Sequence, residues 1–209
     1  TSAATGKLIF NPRITNNTRY DGGAAPGVVK YKDQNGDGKI TTADRTVIGN
    51  AMPKWFGGIT NSFSFKGIDF SFMLQYSYGN DVFNATRQFA TGSQDQRYNM
   101  LAEVADRWSP TNASNKVPST KGYVKGDVYS RFVEDGSFLR LKNMTLGYSL
   151  PKKWINKIHI SKLRIYGTAQ NLFCISGYSG YDPEVSTAAS NPMTPGLDWG
   201  AYPKSRVFT

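Results

Sequence analysis

The chain has 209 residues and a formal net charge of +10, with a pI near 9.6 and a mean hydropathy of −0.46. It contains no run of eighteen apolar residues, which excludes a transmembrane helix. The basic residues are scattered singly and carry no recognised nucleic-acid motif, so solvated faces explain the charge better than a nucleic-acid partner does.

The first motif in the chain is a twelve-residue loop with the spacing of an EF-hand calcium loop. Side-chain oxygens stand at its positions one, three and five, Gly38 stands at six, and a backbone carbonyl is offered at seven. Asp44 closes the loop where Glu usually binds, which makes binding weaker or more tolerant of magnesium. The alternative is an Asx-rich turn without metal. The expected structural cofactor is Ca²⁺ or Mg²⁺, and its ligands are Asp33, Asn35, Asp37, the Lys39 carbonyl and Asp44.

Apolar and polar side chains alternate through residues 59–65 and again through residues 68–78. This period of two is that of a strand with one apolar face, and a helix would not keep it for eleven residues. Lys66-Gly67 closes the pair as a tight hairpin turn, because Gly adopts the positive φ that such turns need. The apolar face ends in tyrosines, and the strand length suits an outer-membrane crossing of about 9–11 residues. We predict a lipid face with Phe70, Phe72 and Leu74, and a lumen or plug face with Ser71, Met73 and Gln75.

Later elements follow the same pattern of strands and links. Residues 100–108 have helical spacing and form the one short helix that we predict. Residues 131–150 and 162–175 alternate as long strands, and residues 202–209 read as a last strand. The pattern therefore predicts an all-β chain of antiparallel strands.

The links between strands alternate in length. Residues 15–53, 80–130 and 176–200 form long links, whereas residues 66–67 and 151–161 form short ones. Outer-membrane barrels have short periplasmic turns and long extracellular loops, while a sandwich has no reason to gather its long loops at one end. We therefore predict that the three long links are extracellular and the two short links periplasmic.

The sequence contains little that indicates catalytic activity. His159 is the only histidine and lies in a short link, so a turn histidine is preferred over a general base. The three glutamates fall on separate segments, and no motif of a hydrolase, zinc protease or phosphate loop occurs. We expect no enzymatic activity and no catalytic residue, and Cys174 is expected to be an apolar strand residue. The glutamates are Glu103, Glu134 and Glu184.

Several ordered stretches resemble the C-terminal end of SusC/RagA-type TonB-dependent outer-membrane receptors. They are VKYKDQNGDGKITTADRTVIGNAMPKWFGGI, FSFMLQYSYGNDVFN, SRFVEDGSFLRLKNMTLGYSLPKKWI, LRIYGTAQNLF, YSGYDPEVS and GLDWGAYPKSRVFT. The resemblance covers nearly everything from Val28 to Thr209. It implies the C-terminal antiparallel strands of a large transmembrane β-barrel, 22-stranded in the family, in the outer membrane of a Gram-negative bacterium.

The resemblance also implies a function and partners. Such receptors import oligosaccharides or peptides under a SusD-like lipoprotein, and the TonB complex drives import through an N-terminal plug and TonB box that we expect to lie outside this chain. Outer-membrane lipid is a further partner, and a homodimer of the receptor is compatible with this architecture. The alternative is a secreted, soluble carbohydrate-binding β-sandwich with a structural calcium. No substrate-binding residue is assigned, because Tyr178, Tyr181 and Trp199 suit loop packing as well as stacking on sugars.

Overall fold

The computed structural model describes residues 16–17, 26–92, 98–114, 116–120, 128, 130–156, 159–187 and 195–209. The chain divides into two compact units. Unit 1 is drawn from Thr1–Ile48 and Ala85–Phe132, and unit 2 from Gly49–Asn84 and Val133–Thr209.

The described elements are mostly strands. In chain order the strands are β1 (Asn16–Asn17), β2 (Lys39–Ile40), β3 (Trp55–Phe65), β4 (Ile68–Tyr78), β5 (Asp81–Asn84), β6 (Val133–Asp135), β7 (Phe138–Ser149), β8 (Arg164–Ser176), β9 (Leu197–Asp198) and β10 (Val207–Phe208). The α-helices are α1 (Ala85–Gly92) and α2 (Lys152–Ile155), and 3₁₀ turns occupy Thr42–Asp44, Ala102–Asp106 and Ser130–Phe132.

Unit 2 is built on a five-stranded sheet with the order β10-β8-β7-β4-β3. Every neighbouring pair in this sheet is antiparallel. A second sheet of unit 2 has the order β6-β5-β9, and β1 pairs with β2 in unit 1. The prediction of an antiparallel all-β chain is confirmed.

The predicted hairpin is present as β3 and β4. Its turn places both central residues in the left-handed region, with φ of 48° at Lys66 and 86° at Gly67. A Cβ at Gly67 would lie 2.7 Å from the carbonyl oxygen of Ser149, so glycine is required for space as well as for φ. The amide of Ser149 donates to the Gly67 carbonyl at 2.7 Å, which ties the turn to β7.

The prediction of one long strand over residues 131–150 is wrong in its first third. Phe132 is fully buried in the 3₁₀ turn, and β6 then pairs with β5 in the smaller sheet. Gly136 separates β6 from β7, and a Cβ there would lie 2.5 Å from the Asn80 side chain. The strand breaks before β7 because β6 pairs with β5, which is distant in sequence. The alternation of apolar and polar residues carries no information about such a pairing.

The predicted helix over residues 100–108 is also wrong. Only Ala102–Asp106 turns, as a 3₁₀ segment, because Leu101 and Arg107 on either side have extended backbones. Trp108 lies outside the turn, and its amide donates to the Val117 carbonyl at 2.9 Å. The two short α-helices lie elsewhere, and of residues 202–209 only β10 pairs, with β8.

Among the residues described, no helix combines the length and the apolar character that crossing a membrane requires.

Candidate functional site

The five-stranded sheet has two chemically different faces. Directly paired residues of antiparallel strands point to the same side, so the register assigns each side chain to a face. Phe70 lies opposite Phe63 and Leu146, and Leu146 lies opposite Gly167. The apolar face defined in this way carries Ile59, Phe63, Phe65, Ile68, Phe70, Phe72, Leu74, Tyr76, Leu139, Leu141, Met144, Leu146, Tyr148, Ile165, Ala169, Phe173 and Ile175.

Much of the apolar face is open within the described residues. Phe63, Phe65 and Ile165 expose 55%, 69% and 63% of their surface. Their neighbours contact one another along the sheet, with 5.7 Å between the ring centroids of Phe70 and Phe72. An apolar surface of this extent is unfavourable in water and marks a face that meets lipid or another apolar layer.

The opposite face is polar and carries an ion pair that spans three strands. Arg164 on β8 donates to Asp69 on β4, with 3.0 Å between Nε and Oδ1. Gly147 on β7 lies between the two strands, and a Cβ there would lie 2.6 Å from Oδ2 of Asp69. Glycine at this position therefore allows the pair to close over the middle strand.

A β-bulge in β7 keeps the two faces distinct. Lys142 is the extra residue, because Leu141 pairs with Leu74 and Asn143 pairs with Met73. Apolar residues of β7 therefore have odd numbers before the bulge and even numbers after it, yet they share one face. The bulge leaves the extra residue unpaired, and without the bulge that residue would shift the register by one and flip one part of the strand.

The bulge lies beside a cluster of charged groups that fixes the segment after β8. Arg140 and Asp182 form a hydrogen-bonded ion pair, and each side chain is only 4% exposed. Glu184 lies 3.3 Å from Nε of Arg140, 3.2 Å from Nζ of Lys142 and 2.7 Å from Nζ of Lys204. The amide of Glu184 also donates to Asp182 at 2.9 Å. We call these five residues the anchor cluster.

The carboxyl group of Glu184 stays ionised in the anchor cluster. Burial raises its pKa, but the hydrogen bonds and charges of Lys204 and Lys142 outweigh burial and hold the pKa below its usual value. The cluster therefore contains two carboxylates and three cations at neutral pH, and it holds the segment after β8 through charge-assisted hydrogen bonds.

Two of the three loop aromatics, Tyr178 and Trp199, are hydrogen-bonded within this part of the chain. Tyr178 is buried, and its hydroxyl donates to Asp198 at 2.6 Å. Burial raises the pKa of Tyr178, and the bond to Asp198 raises it further, so the phenol stays protonated and donates. The amide of Trp199 donates to Thr187 at 2.7 Å, while half of the Trp199 surface is exposed. Loop packing is therefore confirmed for Tyr178, whereas Tyr181 is 79% exposed.

The predicted cation loop lies in unit 1, and its side chains organise the loop's own backbone. Asp33 accepts from the amides of Gly36 and Gly38 at 2.7 and 2.9 Å. Asp44 accepts from the amides of Gln34 and Thr41 at 2.9 and 2.6 Å. These amides, that of Thr41 first, hold the pKa of Asp44 below its usual range.

The same loop offers oxygen atoms of the kind that bind a cation. Asn35 accepts from the amide of Asp37 at 3.0 Å, and Asp37 accepts from the amide of Lys39 at 2.8 Å. An oxygen that accepts one amide retains a lone pair, and hard oxygens are the ligands of Ca²⁺ and Mg²⁺. Within the described part of the chain, no group of three or more His, Cys, Asp or Glu side chains is arranged to hold a metal ion. The donors are of the chemical type that such a cation prefers, but Asp33, Asp37 and Asp44 do not form such a group, and metal binding stays a prediction.

The other titratable residues considered in the sequence are His159, Glu103, Glu134 and Cys174. His159 is exposed in a turn, where its amide donates to Asn156 at 3.2 Å. Glu103 accepts two bonds from Arg87 at 2.9 and 2.8 Å, and Glu134 accepts from Ser179 at 2.8 Å. Cys174 lies in strand β8 as expected, but it is exposed and pairs with Arg140 on the polar face instead of packing among apolar residues.

Known proteins with similar sequences are TonB-dependent receptors. No family model matches the chain. The chain is 36% identical to TonB-dependent receptor P3 of Formosa agariphila over 193 residues, which are 90% of this chain and 19% of the relative. It is 31% identical to TonB-dependent receptor SusC of Bacteroides thetaiotaomicron over 191 residues, which are 90% of this chain and 18% of the relative.

Similar solved structures belong to the same group. The RagAB peptide transporter matches with a TM-score of 0.68 at 26% identity, over 81% of this chain and 18% of that chain. The RagAB peptide importer in its closed-closed state matches with a TM-score of 0.67 at 26% identity, over 89% of this chain and 20% of that chain.

A single antiparallel sheet with one apolar and one polar face is consistent with a segment of the wall of a transmembrane β-barrel. The chain is part of a TonB-dependent receptor of the SusC/RagA type, which confirms the resemblance drawn from its sequence. It spans about a fifth of the length of the curated relatives that it matches.

Proposed function

We propose that the full-length protein is an outer-membrane transporter of a Gram-negative bacterium that imports an oligomeric nutrient. The observation that carries the proposal is the sheet with one open apolar face and one polar face, in a chain homologous to TonB-dependent receptors. An apolar face toward lipid and a polar face toward the lumen are what a barrel wall needs. The chain supplies wall and loops instead of catalytic groups.

The substrate class follows from the relatives. SusC is a TonB-dependent receptor, and RagAB is described as a peptide importer. We therefore propose oligosaccharides or peptides as the cargo, a SusD-like lipoprotein as the partner on the extracellular side, and the TonB complex as the source of energy. The β-sandwich alternative is disfavoured, because a sandwich buries the apolar face that is open here.

Loop topology supports the same proposal. Four strand termini lie at the same end of the sheet, because Trp55 pairs with Tyr78, and Phe138 pairs with Ser77 and Ser176. The long links 15–53, 80–130 and 176–200 start or end at this end of the sheet. We propose that they are extracellular and that the links 66–67 and 151–161 are periplasmic.

A labelling experiment on whole cells tests this topology. Epitope tags inserted near Asn112 and near Asn156 in the full-length receptor report the two sides of the membrane. We expect antibody to reach the tag near Asn112 on intact cells and to reach the tag near Asn156 only after permeabilisation. The reverse pattern would contradict the proposed topology. A third site, Ser190, lies outside the described residues.

Transport itself is tested by growth and co-purification. Deleting the gene should abolish growth on one class of oligomeric nutrient, and the full-length gene should restore it only in cells with an intact TonB complex. A lipoprotein of the SusD type should co-purify with the receptor. Unchanged growth on every glycan and peptide tested, or hydrolysis of such a substrate by the purified receptor alone, would contradict the proposal.

We also propose that the loop of residues 33–44 binds Ca²⁺ or Mg²⁺ through Asp33, Asn35, Asp37, the Lys39 carbonyl and Asp44. The spacing of the ligands and their oxygen chemistry support it. Calorimetry on the full-length receptor should show cation binding at millimolar calcium that Asp37→Ala weakens, whereas Asp106→Ala in the same unit should not. Absence of binding, or equal effects of the two variants, would favour the metal-free Asx turn.

A further inference from the structure

Unit 1 contains a cavity of about 1240 Å³. The described residues that line it all belong to unit 1 and come mainly from residues 26–48 and 108–118. Main-chain bonds hold the walls together, since the amide of Ser119 donates to the Gly27 carbonyl at 2.8 Å. Gly27 has φ of +82° and approaches the Trp108 ring so closely that a Cβ would lie 2.5 Å from it. The cavity is therefore a pre-formed feature of this unit.

The lining of the cavity is strongly cationic. Among its described lining residues, five are Lys or Arg and only Asp44 is acidic. The Asp44 carboxylate is already held by two backbone amides of its own loop. The lining cations are Lys30, Lys32, Arg45, Lys116 and Arg131.

Most of this positive charge has no ion-pair partner among the described residues of unit 1. The salt bridges of the described residues include none to Lys30, Lys32 or Arg45. Lys116 lies 3.6 Å from Asp106 in an exposed pair, which contributes little in water. Cations gathered around one cavity repel each other and favour an anionic occupant.

Arg131 adds a second and independent observation. One terminal nitrogen of its guanidinium donates to the Lys116 carbonyl, and the other lies 3.9 Å from Glu103. Its Nε is buried and has no hydrogen-bond partner in the described part of the chain. A buried donor on a charged group is costly to leave unpaired, so an acceptor brought by a ligand would stabilise this wall.

We propose that this cavity binds an elongated ligand that carries several carboxylate groups. The inference rests on the proposed transport function and deepens it, because it assigns acidic oligomers as the cargo class that the extracellular side captures. A cavity of this size accommodates several sugar or amino-acid units. Its lining includes five lysine and arginine residues, which would pair with charges repeated along an oligomer.

Binding to the purified full-length receptor tests the proposal. The probes are hexagalacturonate and hexaglutamate, which share repeated carboxylates on different backbones, with maltohexaose as the neutral control. At least one acidic probe should bind. Changing Lys30 and Lys32 together to Gln should weaken its binding about tenfold or more and reduce its salt dependence. The matched control, Lys152→Gln with Lys153→Gln, removes the same charge at exposed positions in the link 151–161 and should leave binding unchanged.

A second variant separates the cavity from general electrostatics. Ala113→Trp fills space at a position that lines the cavity and does not change the charge, and it should also weaken binding of the acidic probe. The proposal is overturned if neither acidic probe binds, if maltohexaose binds equally well, or if the two double variants weaken binding equally. A receptor that still imports its nutrient but binds neither acidic probe would contradict this inference and leave the proposed transport function intact.

Discussion

Phe72 lies in the middle of β4, opposite Asn61 on β3 and Met144 on β7, and its neighbour Ser71 points to the other face. In the intact receptor we expect Phe72→Arg to lower the free energy of unfolding by about 2–4 kcal/mol, because it places a charge on the lipid face. Ser71→Arg is the matched control and should cost little, since the lumen face is polar. Urea unfolding in micelles measures both. Equal costs would mean that the two faces have equivalent surroundings.

The ion pair of Arg140 and Asp182 is the most deeply buried charge pair in the anchor cluster. Arg140→Met should lower the free energy of unfolding by about 3–5 kcal/mol, because it leaves the Asp182 carboxylate buried without its cation. Changing Arg140 to Met and Asp182 to Leu together should cost much less than the sum of the two single changes. Additive costs in a double-mutant cycle would show that the two residues do not stabilise each other.

Glu184 gives the anchor cluster a defined pH dependence. Its pKa is lowered from an ordinary value near 4.5. A carboxyl group whose pKa is lower in the folded state than in the unfolded state stabilises the fold when the pH is above its unfolded-state pKa. This stabilisation is lost as the pH falls through the folded-state pKa. The difference in Tm between the receptor and its Glu184→Gln variant should therefore stay constant from pH 8 to about pH 5 and shrink below about pH 4. A difference that shrinks between pH 7 and 6 would contradict this reading of the cluster.

At the scale of elements, the bulge of β7 decides which side chains face lipid. Deleting Lys142 would remove the extra residue and place Leu141 directly before Asn143, so side chains on both sides of the deletion would keep their faces. Inserting one serine between Asn143 and Met144 would instead add an unmatched residue and move Met144, Leu146 and Tyr148 to the polar face. We expect the insertion to abolish accumulation of the receptor in the outer membrane, whereas the receptor without Lys142 should still accumulate. Membrane fractionation and immunoblotting compare the two, and normal accumulation of the insertion would show that this register is not fixed.

Elements whose neighbours are close in sequence were predictable, and elements fixed by distant partners were not. Alternation alone located β4 and its turn, because eleven residues of period two have no helical reading. The start of β7 was missed, since pairing of β6 with β5 separates the two strands. Helix α1 was missed as well: it contains two threonines and ends in glycine, so its own propensity for helix is weak.

In the candidate site, too, features set by local sequence were predictable and features set by distant partners were not. Both faces of the sheet follow from alternation, and the cation loop follows from spacing. The anchor cluster joins residues 42 positions apart, Arg140 to Asp182 and Lys142 to Glu184, so no local signal connects them. The polar position of Cys174 depends on its pairing with Arg140, which the composition of β8 does not reveal.

At the scale of the whole molecule, the central claim is that this sheet is barrel wall with its apolar face toward lipid. The exposed apolar side chains of β3, β4, β7 and β8 on that face agree with the homology to outer-membrane receptors, and the ion pair of Asp69 with Arg164 lies on the other face. In the intact receptor the same face would be covered by acyl chains, and the ion pair of Asp69 with Arg164 would line the lumen.

Spin labels at Phe72 and at Ser71 in the full-length receptor, reconstituted in lipid bilayers, test this claim most directly. Accessibility to oxygen reports contact with lipid, and accessibility to a water-soluble nickel chelate reports contact with water. The account predicts that the label at position 72 is relaxed strongly by oxygen and weakly by the chelate, and that the label at position 71 shows the opposite preference. Equal accessibility at the two positions, or the reverse pattern, would contradict the assignment of the apolar face to lipid.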